Sequence, residues 1–184
     1  MKKIDLLLLF IAVILSIQTF AKSEKVRIVE VRFSKYPAQT VEDEIATIRN
    51  EFQKINSMSL KKEHFTYESS GCAEDGVVDC FFNNGKIVKI VESGAIGDGS
   101  WTDEYYYSSG KIIFCYEEIT GGPAAGKVTK TAYRIYVKDG RSIKTMAGNK
   151  ILSPDGQSAE AIKTGNKIYQ AYKTKDFVSA LCGN

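Results

Sequence analysis

Histidine, tryptophan and proline are scarce in this chain: 184 residues hold one His, one Trp and three Pro. The lone imidazole, His64, stands between Glu63 and Phe65 with no Ser or Cys nucleophile beside it, so a histidine relay is not the expected chemistry. The four cysteines, at 72, 80, 115 and 182, follow no common zinc spacing, and no metal is expected. The stretch SGAIGDGS at 93–100 leads into neither GxGxxG nor GK[ST], so no nucleotide or other cofactor is expected. Asp98, Ser100, Asp103 and Glu104 offer oxygens for Ca²⁺, but EF-hand spacing is absent. Lysines and arginines are spread rather than clustered, which argues against nucleic acid. Long apolar runs are also missing, save one at 6–17, LLLLFIAVILSI, which falls short of the roughly 20 residues of a membrane-spanning helix.

That run follows Lys2 and Lys3 and closes on small residues at Ala21 and Ser23. The order is that of a cleavable signal peptide over residues 1–21, with cleavage after 21 or 23. The remainder, 22–184, has the length of a single globular domain, with no membrane span and a periplasmic or secreted destination. An even cysteine count in an exported chain implies two disulfides. Of the three possible pairings, Cys72–Cys80 across a short polar turn and Cys115–Cys182 to the C-terminal tail are expected.

The formal net charge of +3 hides a split. Residues 41–126 carry 15 acidic and 7 basic side chains, net −8; residues 127–184 carry 4 acidic and 11 basic, net +7. The asymmetry is silent if the two halves face each other, and otherwise leaves an acidic and a basic face.

Residues 25–33, KVRIVEVRF, alternate as a strand that ends before Pro37. Thr40 caps a helix whose Val41, Ile45, Ile48, Phe52 and Ile55 share one face, with Glu42, Asp43 and Glu44 in the first turn, where carboxylates suit the helix dipole. Period-two segments follow at 63–68, 77–82, 86–92, 101–107, 111–118, 128–137 and 142–146. Asn83-Asn84-Gly85, Ser108-Ser109-Gly110 and Lys138-Asp139-Gly140 join three hairpins. The stretches 93–100 and 120–126 read as surface loops. After Pro154, helical pieces are expected at 159–163 and 167–181, broken at Gly165 and Thr174.

The expected fold is α+β: an antiparallel meander of about 6–7 strands, packed on one face by the N-terminal amphipathic helix and the C-terminal helices. Such a sheet leaves its other face open. Trp101, Tyr105 and Tyr107 alternate onto one face, and Tyr and Trp are enriched in binding hot spots, so these three are the expected binding residues. No catalytic residue is assigned; Glu117-Glu118 set against Glu104 is the one carboxylate arrangement of interest.

Over residues 80–140 the helix–hairpin–hairpin order resembles the small exported inhibitor proteins, such as beta-lactamase inhibitor proteins. The resemblance lies in pattern and turn placement and carries no site residue across. The expected function is an exported, soluble, non-enzymatic binding module, inhibitor-like, whose partner is a protein or an envelope component. The alternative is a cell-envelope hydrolase working through carboxylates. A concave pocket with converging carboxylates of raised pKa would favour the second, and a flat or grooved aromatic patch the first.

Overall fold

Thr40 and Asp43 begin the first helix of the described residues, and their bonding explains why it starts there. The computed structural model describes residues 40–122, 126–153 and 156–183. The expected leader and the strand at 25–33 lie outside them, as does part of the loop at 120–126. In helix α1, Val41–Ser57, the Thr40 hydroxyl accepts from the Asp43 N–H at 3.2 Å, and the Asp43 carboxylate accepts from the Thr40 N–H at 3.1 Å. This reciprocal cap satisfies donors that a helix start leaves open. Ile45, Ile48 and Ile55 are buried, each stabilising by roughly 1.5–3 kcal/mol relative to exposure.

Eight strands follow: β1 (Lys61–Ser69), β2 (Ala73–Asn83), β3 (Lys86–Ile96), β4 (Gly99–Ser108), β5 (Lys111–Gly121), β6 (Thr129–Lys138), β7 (Arg141–Ala147) and β8 (Lys150–Leu152). They form one antiparallel sheet in sequence order, so every connection is a neighbour-to-neighbour turn. The sheet is the expected meander, with one strand more than expected: β8 has only three residues, too few to show alternation. The stretch at 93–100 is not a surface loop. Strands β3 and β4 run on to Ile96 and from Gly99, and only Gly97 and Asp98 turn the chain. The three expected hairpin turns form, with positive φ at Asn84 and Gly85, Ser109 and Gly110, and Asp139 and Gly140.

Helix α2 spans Gly156–Ala171 without a break, and α3 spans Phe177–Cys182. Gly165 therefore does not end a helix. It lets α2 lie close on the sheet: a Cβ there would sit 2.5 Å from Tyr105 Cδ1 and 2.6 Å from Ile112 Cδ1.

The helices pack on both faces of the sheet, not on one. Helix α1 buries Ile45, Ile48 and Ile55 against Tyr106, Phe114 and Tyr136. Helices α2 and α3 bury Ala161, Ile162, Ile168, Ala171 and Phe177 against the opposite face, with Tyr105, Tyr107, Cys115 and Ile135. Strand alternation explains this: Tyr105, Tyr106 and Tyr107 are all buried, and consecutive residues point to opposite faces, so both faces need a cover. Part of the charge split is met by ion pairs between the two halves. Lys138 pairs with Glu44 at 2.9 Å, Lys144 with Glu42 at 3.6 Å and Lys130 with Glu118 at 2.6 Å, each joining a base of the second half to an acid of the first.

The disulfide is Cys72–Cys182, with Cα atoms 5.7 Å apart, and neither expected pair forms. Cys72 precedes β2 and Cys80 lies eight residues further along that extended strand, about 26 Å at strand rise, far beyond the Cα separation of about 7 Å that a disulfide tolerates. Cys115 lies three strands from Cys80 in one cross-strand row, through Ile90 and Tyr105, a distance of about 14 Å. Both Cys80 and Cys115 are buried free thiols. Burial pushes the Cys80 thiol up to about 12 and the Cys115 thiol well up too.

Candidate functional site

Polar residues in the apolar phase of a strand define the site. On the face covered by α2, Ile90, Tyr105 and Cys115 are cross-strand neighbours, and two residues from each along its own strand stand Glu92, Asp103 and Glu117. Glu92 is opposite Asp103, and Asp103 is opposite Glu117. Three adjacent strands thus bring three carboxylates into one row. Glu92 and Glu117 are buried, and Asp103 is half-buried.

The row is built on two glycines. Tyr67 pairs directly with Gly76, and Trp101 with Gly94. A Cβ on Gly76 would lie 2.6 Å from the Tyr67 ring, and one on Gly94 would lie 2.5 Å from Trp101 Cζ2. Each aromatic ring therefore lies over the bare backbone opposite it, and both polar tips reach Glu92. Trp101 Nε1 donates to its two oxygens at 2.9 and 2.8 Å, and the Tyr67 hydroxyl donates to Oε1. Burial still holds the Glu92 carboxyl above its ordinary range, against the pull of the two donors.

Beside this anchored carboxylate is a cavity of about 420 Å³. Trp101, Asp103 and Tyr105 of β4 and Glu117 of β5 form its floor, and Gln157 and Glu160 of α2 stand on its helical side. Three carboxyl groups line it, and no basic side chain does. Tyr105 donates to Asp103 Oδ2 at 3.3 Å, and Gln157 donates to Glu117 Oε2 at 3.3 Å. Asp103 Oδ1 is buried with no hydrogen-bond partner. Burial first, and then the charges of Glu117 and Glu92, push the Asp103 carboxyl up to about 8. Among the described residues no group of three or more His, Cys, Asp or Glu side chains is placed to hold a metal ion.

The expected aromatic face is not open. Tyr105 and Tyr107 are 0% and 1% exposed, because α2 runs unbroken over them, and the Tyr107 hydroxyl donates to the Gly165 carbonyl at 2.7 Å. Trp101 alone of the three is not fully buried. The carboxylates Glu104 and Glu118 are on the α1 face, paired with Lys89 at 2.7 Å and Lys130 at 2.6 Å, so neither meets Glu117. His64 is an exposed residue of the edge strand β1, its Nδ1 2.7 Å from Asp79 Oδ1. Glu92 escaped the sequence reading altogether. The signal for it is a carboxylate two residues from a core residue along a strand, in the phase where an apolar side chain belongs.

No family model, curated protein or solved structure matches this chain. No helix among the described residues is long and apolar enough to cross a membrane.

Proposed function

We propose that this is an exported binding protein whose pocket between the sheet and α2 takes a small organic cation, an amine or guanidinium group of an envelope component. The observation that carries the reading is Asp103 Oδ1, a buried acceptor without a donor, in a cavity lined by carboxyl groups and no base. An unpaired buried acceptor is costly, and an ammonium or guanidinium supplies both the donor and the charge. Trp101 adds an aromatic wall of the kind that attracts cations. Export is supported by the leader pattern at 1–21 and by the Cys72–Cys182 bond, since disulfides persist in oxidising compartments.

Trp101 is the sole tryptophan, so its fluorescence reports on the pocket directly. Titration with arginine, glucosamine and ethanolamine should give saturable changes with at least one cation, while N-acetylglucosamine, which lacks the charge, gives none. For arginine, whose guanidinium stays charged, affinity should rise about tenfold per pH unit up to about 8 and then level off, because the cation must displace the Asp103 proton below that pH. Equal response to the neutral sugar, or no response to any of the three cations, rules the reading out.

One observation favours a second reading, a hydrolase acting through carboxylates. A carboxyl that keeps its proton near neutral pH stands opposite a second carboxyl, as in glycoside hydrolysis. Turnover of nitrophenyl glycosides that disappears in both Asp103→Asn and Glu117→Gln would establish it in place of simple binding.

A further inference from the structure

We infer that a second cleft, at the hairpin-turn end of the sheet, binds a carbohydrate-sized ring carrying a phosphate or carboxylate. It lies between the β2–β3 turn, the β4–β5 turn and the C-terminal part of α2, and it shares no lining residue with the acidic pocket. Its volume is about 720 Å³, within the range of small-molecule sites. Two charged residues line it, Lys86 after the β2–β3 turn and Lys173 beyond α2, and no carboxylate does. Both lysines are exposed, and neither belongs to an ion pair among the described residues. The nine ion pairs of the described residues engage other bases, so these two ammonium groups, approaching from separate elements, are left for an anion from outside. Lys111, next after Gly110, is likewise exposed and unpaired and adds to the same positive field.

The rest of the lining selects a ring. Phe82, Tyr169 and Tyr172 are half-buried in the cleft. The Phe82 and Tyr172 rings stand 5.2 Å apart, and Tyr169 packs on Tyr107 at 4.9 Å. Tyr172 is held by its hydroxyl, which donates to Glu63 at 2.8 Å. The Lys175 ammonium sits over the Tyr172 ring, 2.9 Å from its centroid, so the apolar face of a sugar packs on Phe82 and Tyr169. Asn83 and Asn84 place amides at the mouth for its hydroxyls. The walls are stiff, because Asn84-Gly85 and Ser109-Gly110 are two-residue turns with both residues at positive φ. A bare anion leaves the aromatic surface unused, a neutral sugar leaves the lysines unused, and a cation is repelled.

Calorimetric titration with glucose 6-phosphate, glucuronate, glucose and inorganic phosphate tests this at low and high salt. Saturable binding of at least one charged sugar is expected, tighter than glucose or phosphate, and weakened by salt. The Lys86→Gln/Lys173→Gln variant, at two exposed positions, should melt like the parent and lose about tenfold or more in affinity, the loss of one charge-assisted hydrogen bond or more. Asp103→Asn should leave this binding unchanged, which separates the cleft from the acidic pocket. Absence of saturable binding by both charged sugars overturns the inference, as does glucose or phosphate binding equally well, or a double variant that binds like the parent.

Discussion

Asp103 on β4 and Glu117 on β5 face each other across an antiparallel pair, on the sheet face that α2 covers. Two carboxyl groups so placed, with Glu92 on Asp103's other side, cannot all be ionised cheaply in a buried row. The arrangement has consequences for stability as well as for binding.

The first is a pH dependence. Burial raises the Asp103 carboxyl from 3.8 to about 8 and raises Glu92 too. The folded state then holds protons that the unfolded chain releases, so stability is greatest below about pH 4 on this account and falls as pH rises toward 8. Thermal melts across that window should show Tm falling with pH, and Asp103→Asn should flatten part of the slope. A parent Tm that rises steadily from pH 4 to 8, with the variant parallel to it, contradicts this account.

Gly94 is the seat of the Trp101 indole. In Gly94→Ala the added methyl lies 2.5 Å from Cζ2 and 2.9 Å from Cη2, so the ring must leave its place over the strand and its bonds to Glu92. A red-shifted emission and a loss of about 1–3 kcal/mol are expected, the range for overpacking. Unchanged emission would mean that the indole does not rest there.

Gly165→Ala sets two effects against each other. Replacing glycine inside a helix gains about 1 kcal/mol by propensity. Here the methyl meets Tyr105 and Ile112 at 2.5 and 2.6 Å, which costs about 1–3 kcal/mol. The clash should win or break even. A variant that melts higher than the parent would show that α2 stands further from the sheet.

The Cys72–Cys182 bond closes a loop with a sequence separation of 110. Removing it by Cys72→Ser should cost about 2–5 kcal/mol. Native protein should show no reactive thiol to a soluble disulfide reagent, since Cys80 and Cys115 are buried and hard to ionise. Two thiols should appear on unfolding. Peptide mapping that links Cys115 to Cys182 would overturn this connectivity.

The sequence by itself determined what local forces decide. Thr40 with Asp43 and the isoleucine spacing specify α1, because a cap and a 3.6-residue period act within a few turns. Asn84-Gly85, Ser109-Gly110 and Asp139-Gly140 specify three hairpins, because their φ values are a property of two residues. Alternation between them was enough for an antiparallel meander. Which face each helix covers was decided only in the tertiary structure. Alternation puts Tyr105 and Tyr107 on one face and Tyr106 on the other, but only the burial of all three shows that α1 and α2 take opposite sides. Gly165 reads as a break, and only its approach to Tyr105 explains it. Cysteine partners depend on where extended strands carry their ends, so the tail at Cys182 meets Cys72 and not Cys115. The carboxylate row is the clearest case. Glu92, Asp103 and Glu117 are each a single polar residue out of phase in a separate strand, and cross-strand register alone makes them neighbours.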